Sequence, residues 1–306
     1  MPKGIVIKTT GSWYSVKSGE KVIPCKIKGK FRIKGIRATN PVAVGDSVEF
    51  AMNNDNTGIV TAIDERKNYL IRRSPNLSKE YQLIAANVDQ AWLMVSLRAP
   101  KTHYEFIDRF LVTAEAYNIP AKIIFNKTDL YNEDDLEELK LLLYVYKDVG
   151  YEVYKTSAVE PESLMGIKAE MKDRINVISG NSGVGKSTII NIIDPELNLK
   201  TAEISGAHQS GKHTTTFSEM HSLSFGGYVI DTPGIRGFGL IDFDKEELFH
   251  FFPEIFKKSH DCKFYNCTHI HEPGCAVIEA VENGEIFESR YSSYLSLMED
   301  QDEKYR

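Results

Sequence analysis

The sequence predicts an α/β protein: a doubly wound parallel sheet with a small β-barrel ahead of it and a helical, metal-bearing segment behind it. Three observations lead there. Runs of strand length with β-rich composition fill residues 1–70. From about Val88, apolar strands alternate with helical stretches, the signature of repeated βα units. After about Leu240 the pattern turns helical and is interrupted by three cysteines and two histidines in one short stretch. With 306 residues, three domains are expected, at residues 1–72, 73–240 and 241–306.

The barrel strands are expected at Gly4–Lys8, Trp13–Val16, Val22–Ile27, Asp46–Phe50 and Gly58–Ile63, separated by turn residues such as Thr10-Gly11-Ser12 and Asn53-Asn54-Asp55-Asn56. Five short strands in 70 residues suit a small closed barrel, OB-like or SH3-like. In the following segment, strands are expected at Ala91–Val95, Ala121–Phe125, Tyr151–Lys155, Arg174–Ser179, His221–Phe225 and Tyr228–Ile230. Helices are expected at Tyr104–Asn118 and Asp134–Asp148. The run from Glu279 to Arg306, with Arg290, Tyr291 and Tyr294, reads as an amphipathic packing helix.

Composition excludes several classes. No uncharged apolar run approaches the roughly 18–20 residues that span a bilayer, and Met1-Pro2-Lys3-Gly4 opens no signal-like core. Neither export nor membrane insertion is expected. Four cysteines are too few for a disulfide scaffold of this length, and clustering of three of them suggests metal in a reducing cytoplasm. The net charge of −6 is uneven: residues 1–70 hold 12 Lys and Arg against 6 Asp and Glu, a balance of +6 that leaves −12 for the rest. A basic module therefore precedes an acidic body.

The sharpest motif is Gly180-Asn181-Ser182-Gly183-Val184-Gly185-Lys186-Ser187, which fits G-x-x-x-x-G-K-[ST], follows a strand and opens a helix with Thr188-Ile189-Ile190. Backbone N–H groups of such a loop and the helix N-terminus cradle phosphates; Lys186 reaches the terminal phosphates and the Ser187 hydroxyl binds Mg²⁺.

Asn126-Lys127-Thr128-Asp129 names the base. It follows a strand at the carboxyl edge of the sheet, where ligands of such folds bind. The Asp129 carboxylate accepts from both N1–H and the 2-amino group of guanine, while adenine offers an acceptor and no 2-amino group; a mismatch of that kind is costly when buried. Lys127 can cover the ring, Asn126 can tie this loop to the phosphate loop, and Ala158 in Thr156-Ser157-Ala158 can offer its N–H to guanine O6. Asp231-Thr232-Pro233-Gly234 ends a further strand and supplies an acid for Mg²⁺ through water, with the Gly234 N–H aimed at the γ-phosphate. From His213-Thr214-Thr215-Thr216, Thr215 is the second Mg²⁺-binding hydroxyl.

The order of these elements departs from the usual GTPase, in which the phosphate loop comes first and the base reader late. Here the reader leads, so the chain is circularly permuted, and its ends are free to carry extra modules. The loop at Gly234 runs on into the C-terminal segment and is expected to pull on it as nucleotide state changes. Ile235 follows Gly234, where many GTPases have a glutamine that orients the attacking water. An isoleucine cannot do this, which makes His213 the candidate catalytic group and implies slow turnover without a partner.

Cys262, Cys267, His269 and Cys275, spaced Cys-x4-Cys-x-His-x5-Cys, make a complete tetrahedral set for one zinc with no open position, the mark of a structural site. His271 competes with His269 for the fourth place; His269 is favoured. Cys25, alone in the barrel, reads as a buried thiol. Lys26, Lys28, Lys30, Arg32, Lys34 and Arg37, with Phe31 and near Trp13 and Tyr14, suit phosphate contacts plus base stacking on RNA.

With these motifs in place, the whole chain resembles the family of ribosome small-subunit-dependent GTPase A, bacterial circularly permuted GTPases. The resemblance rests on Asn126 to Asp129, Gly180 to Ser187, Gly211-Lys212-His213-Thr214-Thr215-Thr216, Asp231 to Ile235 and the Cys/His cluster. It implies an OB-like first domain and GTP hydrolysis to GDP and phosphate. It also implies late maturation of the 30S subunit with 16S rRNA contacts stimulating turnover, a cytoplasmic location, and one zinc at Cys262, Cys267, His269 and Cys275; a monomer is expected. The family's Gly-x-His-Thr-Thr loop, matched at Gly211 to Thr215, supports a role for His213.

Overall fold

The computed structural model describes residues 1–27, 41–73, 81–199, 219–231 and 245–303. The first five strands, β1 (Lys3–Thr9), β2 (Tyr14–Ser18), β3 (Lys21–Ile27), β4 (Ser47–Met52) and β5 (Gly58–Ile63), pair in the order β1-β2-β3-β5-β4, and β4 returns to β1. Only the β3–β5 pair is parallel. Five strands closed in this Greek-key order make an OB-type barrel. Strand alternation sends Val6, Val16, Val48, Phe50 and Val60 into its core, together with Cys25, whose thiol burial pushes up to about 11.

A two-stranded hairpin, β6 (Tyr69–Arg73) and β7 (Tyr81–Ala86), follows. The sequence reading has no strand here, and the hairpin spans the position where it puts the first domain boundary. It is a packed joint: Val44 bridges to Ala85, and a Cβ on Gly45 (φ +92°) would lie 2.1 Å from the Ala86 carbonyl oxygen. Val44, Leu70 and Ala85 join the same buried cluster as the sheet that follows.

That sheet contains β8 (Gln90–Val95), β9 (Ala121–Phe125), β10 (Glu152–Lys155), β11 (Ile175–Ser179), β12 (Glu219–Ser222) and β13 (Tyr228–Asp231) in the order β10-β9-β8-β11-β13-β12, parallel except for β12, which runs antiparallel to β13 and pairs on its other side with β1 of the barrel at Lys8–Glu219. Between them lie α1 (Tyr104–Ala116), α2 (Glu133–Val149), α3 (Met165–Met171) and α4 (Lys186–Ile193). The strand expected at His221–Phe225 instead covers Glu219–Ser222, because the chain turns through Leu223–Gly227 on two glycines with positive φ. Strand addition runs one way from β8 and the opposite way from β11. The carboxyl ends of these two neighbours therefore form the topological switch point, where ligands of such sheets bind.

The last segment holds α5 (Pro253–Ser259), α6 (Ala276–Glu282) and α7 (Glu288–Glu303). Its core of Leu248, Phe252, Ile255, Val277, Tyr294 and Leu297 includes Val112 of α1, so the module packs directly on the helical layer of the parallel sheet. The seam is polar as well. The Arg290 guanidinium, fully buried, bonds Asp108 of α1 at 2.6 Å and Glu254 of α5 at 2.7 Å, and the Tyr146 hydroxyl of α2 donates to Asp108 at 3.0 Å. No helix among the described residues is long and apolar enough to cross a membrane.

Candidate nucleotide site and metal centre

The glycine-rich loop leaves β11 and enters α4, and two of its glycines are dictated by close approach. A Cβ on Gly180 (φ +145°) would lie 2.2 Å from the Met94 carbonyl oxygen, and one on Gly185 (φ +103°) would lie 2.5 Å from Asn126 Nδ2. Val184 is buried and anchors the loop, while Ser182 and Gly183 stand exposed at its rim and Asn181 is partly exposed. The Lys186 ammonium, on the first residue of α4, donates to the carbonyls of Gly180 (2.7 Å) and Asn181 (2.8 Å). Ser187 is buried beside it and Thr188 is exposed.

Asn126 to Asp129 lies at the end of β9 and meets this loop. Asn126 Nδ2 donates to the Val184 carbonyl at 2.9 Å, and Asn126 Oδ1 accepts the Thr156 hydroxyl at 3.0 Å. One side-chain amide thus joins three loops from three strands. Lys127, in the left-handed conformation (φ +62°), donates from Nζ to the Gly183 carbonyl at 2.7 Å and to that of Ala99. Thr128 is held by the Thr156 carbonyl at 3.2 Å, and the buried Ser157 hydroxyl donates to the exposed Asp129 carboxylate. Ala158 follows, partly exposed.

Two ammonium groups, glycine-loop amides and a helix start therefore converge at one end of the sheet. That arrangement suits a polyanion, with the Asp129 carboxylate on the adjoining loop, oriented by the Ser157 hydroxyl. Asp231 ends β13, which pairs in parallel with β11. His213, Thr214, Thr215, Thr216, Gly234 and Ile235 lie outside the described residues, as do Lys28, Lys30, Phe31, Arg32, Lys34 and Arg37. Of the residues read as contacts for RNA, Lys26, Trp13 and Tyr14 are described: the Lys26 ammonium sits 4.3 Å from the centre of the half-exposed Trp13 indole, whereas Tyr14 is buried in the barrel core and presents no face for stacking on a base. Sequence reasoning missed the loop after β8, whose Ala99 carbonyl takes the Lys127 ammonium. No turn motif marks it.

The Cys/His stretch closes into a second site. Ligand atoms of Cys262, Cys267, His269 and Cys275 all lie within 4.8 Å of one another. Cys262 Sγ is 3.6 Å from His269 Nδ1 and 3.9 Å from Cys275 Sγ, and Cys275 Sγ is 3.5 Å from His269 Nδ1. With Zn–S near 2.3 Å and Zn–N near 2.0–2.1 Å, the edges of a tetrahedron are about 3.5–3.8 Å, so these residues fit zinc. Burial pushes the Cys267 thiol up to about 12 and raises Cys275, so thiolates here need a cation; burial also lowers His269, leaving the neutral imidazole that ligates. His271 is exposed and outside the group.

The knuckle is braced from two sides. Burial opposes ionisation of Glu272, but hydrogen bonds from the Thr268 hydroxyl and amide and the His271 amide outweigh it and hold the carboxyl well below its usual range. From α7, the hydroxyls of Tyr291 and Tyr294 donate to the carbonyls of His269 (2.7 Å) and Thr268 (2.6 Å).

The RsgA N-terminal domain family model matches residues 3–60, and the RsgA GTPase family model matches residues 63–241. The small ribosomal subunit biogenesis GTPase RsgA of Bacteroides fragilis is 56% identical over 306 residues, covering 99% of each chain. That of Flavobacterium psychrophilum is 50% identical, covering 99% of this chain and 94% of its own. Among solved structures, YjeQ from Thermotoga maritima superposes with a TM-score of 0.80 at 37% identity, covering 98% of both chains. YloQ, a circularly permuted GTPase, gives 0.77 at 36% identity, covering 99% of this chain and 96% of its own.

Proposed function

The chain belongs to the RsgA GTPase family, and from that premise we propose that it hydrolyses GTP to GDP and phosphate during late maturation of the small ribosomal subunit. On this reading it docks on the 30S particle through 16S rRNA, turns over there, and leaves as the GDP form. The cytoplasm, where subunits mature, is its place of action, and it works as a monomer.

The roles follow from chemistry. The amides of Gly180 to Ser187 and the Lys186 ammonium carry the phosphates, with Thr188 in the first helical turn alongside. Asp129 reads N1–H and the 2-amino group of guanine, Lys127 covers the ring, Asn126 and Thr128 hold the reader loop, and Ser157 and Ala158 complete the base pocket. The hydroxyls of Ser187 and Thr215 would hold Mg²⁺, with Asp231 acting through water and the Gly234 amide meeting the γ-phosphate. Bound Mg²⁺ would draw charge from the phosphate oxygens as the bond to the leaving group breaks. His213 orients the attacking water, since Ile235 has no polar atom to do so. Cys262, Cys267, His269 and Cys275 would hold one structural zinc.

The observation that carries this reading is the hydrogen bond from Asn126 to the Val184 carbonyl, which joins the base-reading motif to the phosphate-binding motif across 58 residues of chain. The decisive assay measures GTP hydrolysis with purified 30S subunits, 50S subunits and 70S ribosomes. Stimulation by 30S subunits is expected, and stimulation by 50S subunits alone would overturn the assignment. In the same assay His213→Ala is expected to abolish most of the stimulated rate while GDP affinity stays unchanged; a wild-type rate would remove His213 from the mechanism.

A further inference from the structure

Tyr131 lies two residues beyond Asp129, and its phenol makes two hydrogen bonds at once. It donates to the Asn126 carbonyl at 2.9 Å and accepts the backbone N–H of Leu97 at 2.9 Å. The first bond closes residues 126–131 into a ring that also contains the 3-10 turn Thr128–Leu130. The second reaches the loop after β8, the loop whose Ala99 carbonyl takes the Lys127 ammonium. That loop also borders the phosphate cradle, because a Cβ on Gly183 would meet Pro100 Cδ at 3.7 Å.

The clamp has a task that packing alone does not perform. Lys127 holds φ +62°, disfavoured for a residue with a Cβ, so the loop carrying Asp129 needs tethers to keep its shape. Side chains tether it to the phosphate loop, to Thr156 and, through Lys127, to Ala99, and the Asn126 N–H bonds the Val95 carbonyl at the end of β8; Tyr131 adds the tether that joins the Asn126 carbonyl to the Leu97 N–H. Leu97 is buried at 2% exposure, so water cannot replace the phenol at its N–H. Burial raises the Tyr131 pKa, keeping the hydroxyl proton available for the Asn126 carbonyl.

We propose that Tyr131 is a positioning residue for guanine specificity: its hydroxyl locks the Asn126–Asp129 loop to the loop after β8 and so fixes where the Asp129 carboxylate meets the base. The proposal rests on the reading of Asp129 as the guanine acceptor, and its test separates the two. GDP and inosine diphosphate differ by the 2-amino group alone, so their affinity ratio reports the placement of Asp129. Tyr131→Phe in the full-length protein is expected to weaken GDP about tenfold, the loss of one or two buried hydrogen bonds, and to contract the ratio at least about threefold. Tyr151→Phe is the matched control: it removes a phenol bonded to Glu115 at 3.1 Å, far from both loops, and is expected to leave the ratio at the wild-type value.

Equal weakening of both nucleotides, or none, would overturn the role of Tyr131 while leaving Asp129 in place. A wild-type protein without any preference for GDP over inosine diphosphate would overturn the Asp129 reading itself. A measurement on the wild type alone decides the matter if the variant does not fold. GDP is expected to slow amide exchange at Leu97 at least severalfold, and an exchange rate indifferent to GDP would sink the proposal.

Discussion

The nucleotide pocket and the metal centre are both built from short motifs on loops, yet different things hold them in shape. In the pocket, each side chain of Asn126 to Asp129 already has a protein partner: Asn126 bonds Val184 and Thr156, Lys127 bonds Gly183 and Ala99, Thr128 bonds the Thr156 carbonyl, and Asp129 accepts from Ser157. The loops are preorganised by hydrogen bonds among amides, hydroxyls, carbonyls and the Lys127 and Lys186 ammonium groups, around glycines that only fit bare. In the knuckle, four ligand atoms converge in a buried place where burial raises two of the thiols. There the shape depends on the ion that makes thiolates affordable. A site that must release its ligand in every cycle is prefolded without it, whereas a site that keeps its ligand is folded by it.

Removing the metal ligand set is therefore the harshest test of this contrast. Cys267→Ser is expected to abolish zinc content and to destabilise the C-terminal module by several kcal/mol, part of the roughly 10–16 kcal/mol that structural zinc supplies in small zinc domains. Metal analysis with a thermal melt checks it, and an unchanged melt would break the contrast outright. Next in size is the seam beneath the knuckle. Arg290→Ala leaves the buried Asp108 and the partly buried Glu254 without their cation and is expected to cost about 3–5 kcal/mol, read as a denaturant midpoint. A loss under about 1 kcal/mol would mean the module stands independently of α1.

Both sites were legible in sequence for the same reason: their chemistry demands particular residue types at fixed short spacings. Gly180, Gly185 and Lys186 are required by backbone approach and phosphate charge, and the cysteine spacing by a tetrahedron. The βα units were legible because β8, β9 and β11 are nearly continuous apolar runs, as strands buried on both faces must be. What stayed hidden depends on partners far along the chain. Nothing local distinguishes Arg290 from a surface arginine; Asp108, 182 residues away, makes it a buried ion pair. The β6–β7 hairpin was missed because its register shifts between Leu70 and Ile71, breaking the period of two by which a strand is recognised. Tyr131 carries no pattern at all, since its two partners are backbone groups.

Acidity offers a gentler probe of the metal centre. Cys267, pushed by burial up to about 12, and Cys275, also raised, each give up a proton when zinc binds, whereas His269, lowered by burial, is already neutral. Proton release favours binding as pH rises, so these two thiols alone predict a gain in zinc affinity of about a hundredfold from pH 7 to pH 8, near 2.8 kcal/mol. Competition against a chelator at the two pH values measures it. A gain below about tenfold would show that the thiols are already ionised without metal, and the knuckle would then be as preorganised as the pocket.

Asn126→Ala should have the smallest effect on the fold and the most selective effect on function. It strands the Val184 carbonyl and the buried Thr156 hydroxyl, for a penalty of about 1–3 kcal/mol that falls on loop alignment. GDP affinity is expected to fall about ten- to a hundredfold, while zinc content stays at wild type because no element is shared between the two sites. Asn126→Asp refines the outcome. Its carboxylate can still accept from Thr156, but it presents an acceptor where Asn126 had donated to the Val184 carbonyl. If the tie to the phosphate loop is what preorganises the pocket, the aspartate must weaken GDP at least as much as the alanine does. An aspartate variant with near-wild-type affinity would mean that the bond to Thr156 suffices, and that the two loops meet through the nucleotide rather than ahead of it.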